Sequence, residues 1–210
     1  SIRMKLLKII RIMAWSAVVV VGGILLAASG LLPGLDRPGT SPTTSTGVAA
    51  VGGPFELTTH LGKTVTNEDL EGRPYLVFFG FTHCPDICPT TLFELTSLFD
   101  DLGPAADKIM PLFITVDPER DTQELLASYL TSFDDRIIAL RGTKDQTEQA
   151  AKAYAAYYEQ VPLEGGSYTM DHTAGVYLID AEGNFMGMLD SHEPRETQLQ
   201  KLRRLAGTAD

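Results

Sequence analysis

Sulfur is scarce in this chain. Its 210 residues include two cysteines, Cys84 and Cys88, and both lie in one short stretch, Phe81-Thr82-His83-Cys84-Pro85-Asp86-Ile87-Cys88-Pro89. A bridge between them would close a tiny loop, and disulfide stabilisation grows with loop length, so a purely structural role is weak. Histidine is also sparse, limited to His60, His83, His172 and His192. A basic excess is missing altogether: the formal net charge is −10, which excludes a nucleic-acid partner, since phosphate binding needs a basic face. No internal repeat is visible.

The few cations near the start are placed with a pattern. Residues 1–11 carry Arg3, Lys5, Lys8 and Arg11 and no acid. Residues 12–32 then carry no charge at all, and roughly 20 apolar residues suffice to span a bilayer core. Trp15 sits near one end, as an interfacial aromatic does. A cationic flank ahead of the run predicts a single-pass anchor with a cytoplasmic N-terminus and an exported C-terminal body. Ala27, Ala28 and Ser29 would suit a cleaved signal peptide, but the apolar run exceeds the usual signal core. No Arg- and Ser-rich transit sequence precedes it, which favours a bacterial inner membrane and a periplasmic body over the mitochondrial inner membrane. Residues 33–53 are rich in Pro, Gly, Ser and Thr and read as a flexible linker.

Residues 54–210 form the folded body. Phe55–Thr58 and Thr64-Val65 around Gly62-Lys63 predict a small hairpin. Tyr75–Phe79 and Met110–Val116 are continuous apolar runs, the pattern of buried central strands. Pro89 suits the first turn of a helix, which Leu92, Leu95, Leu98, Phe99 and Leu102 continue to Gly103-Pro104. A helix through Leu125, Leu126, Tyr129 and Leu130 and a short strand Ile137–Leu140 follow. Thr143 and Gln146 form a capping box that opens a helix to about Tyr158. An irregular loop is expected from Val161 to His172. A hairpin, Gly175–Asp180 with Phe185–Leu189, and a closing helix Glu196–Leu205 complete the chain. Strands alternating with helices, then a hairpin and a helix, give an α/β class with a thioredoxin-like order plus an added N-terminal hairpin and inserted elements. Open α/β sheets place ligands beyond the carboxyl ends of their strands, where Cys84 and Cys88 fall.

Three readings of the cysteine turn stand beside each other: a structural bridge, a redox pair and a metal clamp. A strand-to-helix turn stabilises a thiolate and suits thiol–disulfide exchange, but Cys84 and Cys88 are one residue further apart than the usual Cys-x-x-Cys spacing. Two thiolates with one imidazole suit Cu(I), whereas structural zinc takes four protein ligands. His60 lies in the first hairpin turn, His192 between the last hairpin and helix, and His83 beside Cys84 as a turn residue. His172 ends the loop before the strand that begins near Gly175, a junction that faces the cysteine turn in a thioredoxin-like sheet. Thioredoxins carry a cis-proline there. This chain has His172-Thr173, which favours a ligand.

Together these residues resemble the SCO/SenC family of copper-handling proteins. The matching segments are Gly53–Leu57, Phe78–Leu92, Val116–Thr122, Ala153-Tyr154 with Tyr157-Tyr158, and Asp171-His172. They occur in family order and cover about residues 52–206. The resemblance implies a membrane-anchored thioredoxin-fold metallochaperone that is not an enzyme, delivering one copper ion, Cu(I) or Cu(II), to the CuA centre of cytochrome c oxidase. It implies Cys84, Cys88 and His172 as copper ligands and associates Asp117 with the site; His83, from its position beside Cys84, is expected around the ligands or in the turn itself. Asp117 has a second reading as the cap of the helix that follows. Implied partners are the CuA-bearing oxidase subunit, a copper donor protein and, because the compartment is oxidising, a thioredoxin-like thiol reductant. The alternative is a thiol–disulfide oxidoreductase in which Cys84 and Cys88 form a redox disulfide and reduce the acceptor's cysteines. The two roles share both cysteines, and only the chaperone requires His172.

Overall fold

The computed structural model describes Met13, Trp15, Ser16 and residues 51–208. The expected anchor and linker, residues 12–32 and 33–53, lie almost wholly outside the described residues. No helix among those described is long and apolar enough to cross a membrane.

The body is built on a seven-stranded sheet ordered β2-β1-β5-β4-β3-β8-β9, with a separate two-stranded ribbon, β6-β7. Strands β3 (Tyr75–Gly80), β4 (Met110–Thr115) and β5 (Ile138–Arg141) are parallel and central. Every residue of β3 and all of β4 beyond Met110 is buried, which is why both read as unbroken apolar runs. The predicted N-terminal hairpin is β1 (Glu56–Thr59) and β2 (Thr64–Thr66), joined to the sheet by antiparallel pairing of β1 with β5. The opposite edge is the antiparallel pair β8 (Val176–Ile179) and β9 (Phe185–Leu189), with β8 antiparallel to β3.

Among residues 51–208, four α-helices accompany the strands: α1 (Ile87–Leu102), α2 (Gln123–Leu130), α3 (Lys144–Ala153) and α4 (Arg195–Leu205). Helix α1 buries Cys88, Leu92, Leu95, Leu98, Phe99 and Leu102 on one stripe, and each such apolar side chain contributes about 1.5–3 kcal/mol on full burial. Gly103 ends it at φ 59°, a conformation glycine adopts without the clash of a Cβ. The Thr143–Gln146 capping box opens α3 with both of its reciprocal hydrogen bonds.

Two expectations change. The third helix stops at Ala153 rather than near Tyr158, because Tyr154 turns into the core and Ala155 enters the left-handed region at φ 50°. The Tyr154 hydroxyl there meets that of Tyr75 at 3.1 Å. The expected irregular loop before His172 is instead an ordered ribbon, β6 (Tyr158–Pro162) paired with β7 (Tyr168–His172). Gly165 and Gly166, at φ 85° and 82°, make the reversal that lets Val161 pair with Thr169. Tyr168, Met170 and His172 therefore alternate onto one face of β7.

Candidate metal centre

Sheet topology brings three chain segments to one edge. Parallel β3 and β4 end together at Gly80 and Thr115, so the cysteine turn and the loop Val116–Asp121 leave the sheet side by side. Strand β8 runs the other way against β3, so its start lies at that same edge, and His172 precedes it by four residues. Among the described residues, Cys84, Cys88 and His172 form the one group of three potential metal ligands, with their ligand atoms all within 4.8 Å of one another.

Each ligand is held by its own local structure. The Cys84 N–H closes a turn by donating to the Phe81 carbonyl at 3.3 Å. Cys88 is in the first turn of α1, fully buried, and its N–H donates to Cys84 Sγ at 3.4 Å. Neither cysteine is in a disulfide. The Cys88 thiol and the Cys88 and Asp86 N–H groups donate toward Cys84, and the thiol hydrogen bond dominates. Against partial burial, these hold the Cys84 pKa down to about 3. The same shared proton, and then burial, push Cys88 up. The pair thus keeps one thiolate, on Cys84, and one thiol.

His172 Nδ1 lies 3.0 Å from the Thr173 carbonyl, which can only accept, so Nδ1 carries the proton. That leaves the lone pair on Nε2, and Nε2 faces Cys88 Sγ at 3.3 Å. The imidazole edge rests against Phe81 and Phe78, with centroids at 5.8 and 6.1 Å. Gly80 makes room for this cluster, since a Cβ there would lie 2.9 Å from Cys88 Sγ and 2.7 Å from the Phe113 ring.

The remaining predicted residues lie elsewhere. Asp117 is buried and has both carboxylate oxygens engaged: Oδ1 accepts from Tyr168 Oη at 2.9 Å, and Oδ2 pairs with Arg120. It does not cap α2; Thr122 does, accepting from the Leu125 N–H at 3.2 Å. His83 is half exposed and turned toward Thr82 Oγ1, at 3.1 Å, and Asp121 Oδ1, at 3.6 Å, rather than toward the sulfurs. The Asp86 carboxylate is exposed and accepts from Thr90 Oγ1 at 3.4 Å. His60 is half-buried and accepts the Ala139 N–H at 3.2 Å, tying the first hairpin to β5. His192 is exposed beside Asp190.

Sequence reasoning missed Asp121, the residue that anchors the cysteine turn. It is fully buried, accepting from the Thr82 N–H at 3.1 Å, the Thr82 hydroxyl at 2.6 Å and the Thr115 hydroxyl at 2.5 Å. The signal was the second carboxylate of Asp117-Pro118-Glu119-Arg120-Asp121, read only for its first.

Comparison with known proteins agrees with this geometry. The family model described as SCO1/SenC matches residues 43–207. The human mitochondrial SCO1 homolog is 42% identical over 143 residues, covering 67% of this chain and 48% of that protein. The chain thus spans about half the length of the human and mouse SCO1 relatives it matches. Among solved structures, Bradyrhizobium japonicum ScoI with copper bound superposes at a TM-score of 0.70 with 44% identity, covering 74% of this chain and 99% of that one. Yeast Sco1 with copper bound gives a TM-score of 0.70 at 34% identity, covering 77% and 91%. The mixed α/β body with its central sheet is the thioredoxin-like architecture of these Sco structures. The chain belongs to the SCO1/SenC family.

Proposed function

We propose that this chain is a copper metallochaperone that holds one ion at Cys84, Cys88 and His172 and passes it to the CuA-bearing subunit of cytochrome c oxidase. The observation that carries the proposal is the convergence of two sulfurs and one imidazole nitrogen within 4.8 Å. Two soft thiolates and one imidazole are a donor set suited to Cu(I), and the nitrogen extends it to Cu(II). Copper-bound relatives at 44% and 34% identity support the cargo.

Three ligands leave the ion open to an incoming cysteine or histidine, so transfer proceeds by ligand exchange. His172 is the neutral ligand, with its own proton on Nδ1, and leaves without taking up charge. The thiolates follow as acceptor ligands replace them. In this reading residues 12–32 anchor the chain in a bacterial inner membrane, residues 33–53 tether it, and the body works in the periplasm. A copper donor loads the site, and a thioredoxin-like reductant keeps both cysteines reduced.

A second reading rests on the Cys84 thiolate. Cys84 attacks a disulfide of the acceptor, Cys88 resolves the mixed disulfide and loses its proton to solvent, and the chain leaves oxidised while the acceptor gains two thiols. The thioredoxin-like reductant then restores the pair.

The test is an anaerobic Cu(I) competition titration of the full chain beside Cys84→Ala, Cys88→Ala and His172→Ala. One copper per chain, weakened by each change, is the expected result. Binding that depends on both cysteines and is untouched by His172→Ala overturns the three-ligand site and favours the reductase.

A further inference from the structure

We infer that Asp117, Arg120 and Tyr168 form a clamp that sets how firmly His172 is held at the metal, and so how readily copper passes from a three-ligand to a two-thiolate state. The inference rests on the proposed metal site and assigns these residues a positioning role within it.

The ribbon that carries His172 has few anchors. It is not part of the seven-stranded sheet, and a two-stranded ribbon is marginal by itself. Strand β6 is exposed from Glu159 to Pro162, and Met170 is the only buried residue of either strand. The ribbon residues Tyr158, Glu159, Gln160 and Met170 border a cleft of about 310 Å³, and only Met170 of the two strands reaches into the core.

What fixes the ribbon is the face it turns inward. Tyr168, Met170 and His172 share that face, so the position of His172 follows from how Tyr168 is held four residues earlier. Tyr168 is held three ways. Its hydroxyl donates to Asp117 Oδ1 at 2.9 Å, its carbonyl accepts from Arg120 Nη1 at 2.9 Å, and the Arg120 guanidinium stacks 3.7 Å from its ring centroid. The guanidinium also lies 5.9 Å from the Phe81 ring, and Phe81 is the wall against which the His172 imidazole rests. Asp117 follows directly on β4 and is steadied by its N–H, which donates to Thr115 Oγ1 at 3.0 Å. The clamp therefore joins the end of β4 to the ribbon that carries the imidazole and to Phe81, one of the two rings the imidazole rests on.

The clamp is also short of full strength. Arg120 Nη2 is buried without a hydrogen-bond partner among the described residues, an unmet donor that lowers the cost of opening. A clamp of polar contacts, with one donor unsatisfied, holds His172 in place and yet releases it during exchange without unfolding the sheet.

The test uses the full chain with Tyr168→Phe, which keeps the ring and removes the hydroxyl, and Arg120→Lys, which keeps the charge and removes the planar fork and its stack. Both are made in the native and in the His172→Ala background. Cu(I) competition titrations, copper X-ray absorption and the rate of copper loss to a chelator are measured, with thermal midpoints as the folding control. In the native background each variant lowers Cu(I) affinity about tenfold, the low end of what ligand-supporting contacts contribute. Nitrogen scattering falls, both sulfur scatterers stay, and copper leaves faster. In the His172→Ala background the two variants change nothing further. Equal losses in both backgrounds, or unchanged affinity and unchanged nitrogen scattering in the native background, overturn the clamp while leaving the metal site standing. If His172→Ala alone changes neither affinity nor nitrogen scattering, the three-ligand site itself fails and the clamp with it. Should Arg120→Lys fail to fold, Tyr168→Phe decides the question alone.

Discussion

Cys88 Sγ and His172 Nε2 lie 3.3 Å apart, although 84 positions separate them in the chain. One is in the first turn of a helix and the other ends a strand of a detached ribbon, so no local structure relates them. Only the antiparallel docking of β8 on β3 does. The consequences of that meeting can be measured.

The sharing of one proton between the cysteines predicts unequal reactivity. Cys84, with its pKa near 3, reacts with iodoacetamide at a nearly constant rate from pH 5 to pH 8, whereas an ordinary cysteine slows about tenfold per unit below its pKa of about 8.5. Buried Cys88 stays unmodified. Mass spectrometry of the alkylated apoprotein separates the two, and modification of Cys88 ahead of Cys84 contradicts the assignment. The stability linkage has a definite sign. A pKa held below the unfolded value contributes stability that is full above about 9 and is lost as pH falls toward about 3. Cys88, pushed up, acts in the opposite sense above about 9. The cysteine pair therefore stabilises the apoprotein most near the unfolded thiol pKa, and chemical denaturation of native and Cys84→Ala chains across pH 4–8 should converge toward the acid end.

Gly80→Ala should strike the metal site harder than the fold. Its Cβ would fall 2.9 Å from Cys88 Sγ and 2.7 Å from the Phe113 ring, and neither has room to retreat in a buried strand end. Overpacking of this kind costs about 1–3 kcal/mol. Urea denaturation gives that figure, and a Cu(I) titration of the folded fraction should show weaker binding because Cys88 is displaced. Native copper affinity in Gly80→Ala would show that Cys88 tolerates the shift.

Asp121→Ala and Asp121→Asn should part company. Alanine leaves the Thr82 N–H and the Thr82 and Thr115 hydroxyls without their acceptor, at about 1–3 kcal/mol for each buried donor that finds no substitute. Asparagine keeps one acceptor oxygen, and the Thr82 hydroxyl can turn to accept from its amide. The expected order of denaturation midpoints is native, then Asn, then Ala, with copper affinity following the same order as the cysteine turn loosens. An alanine variant as stable as the native chain would remove Asp121 from the site.

Much of this was legible in the chain itself. The apolar runs of β3 and β4, the stripe from Leu92 to Leu102 and the Thr143–Gln146 box each carry a local signal, a period or a cap, and each became the expected element. The end of the third helix was not legible. Alanine-rich residues to Tyr158 favour helix locally, but burial of Tyr154 against Tyr75 and the pairing of Tyr158 with His172 outweigh that preference. The ribbon was hidden for a similar reason: its short, mostly exposed strands lack an apolar run, and Gly165-Gly166 was read as loop rather than as a hairpin reversal.

The chemistry on offer is written along the chain: two cysteines beside a strand-to-helix junction, a histidine where thioredoxins carry a proline, and enough apolar strand to build a sheet around them. Spacing and residue type are local properties and can be read along the chain. How those donors are supported depends on the folded arrangement. It joined Asp121 to the cysteine turn, turned Asp117 away from capping and toward Arg120 and Tyr168, and set His172 on a strand rather than a loop. Those choices depend on which strand ends share an edge of the sheet, a property of strand order and direction that no single segment carries.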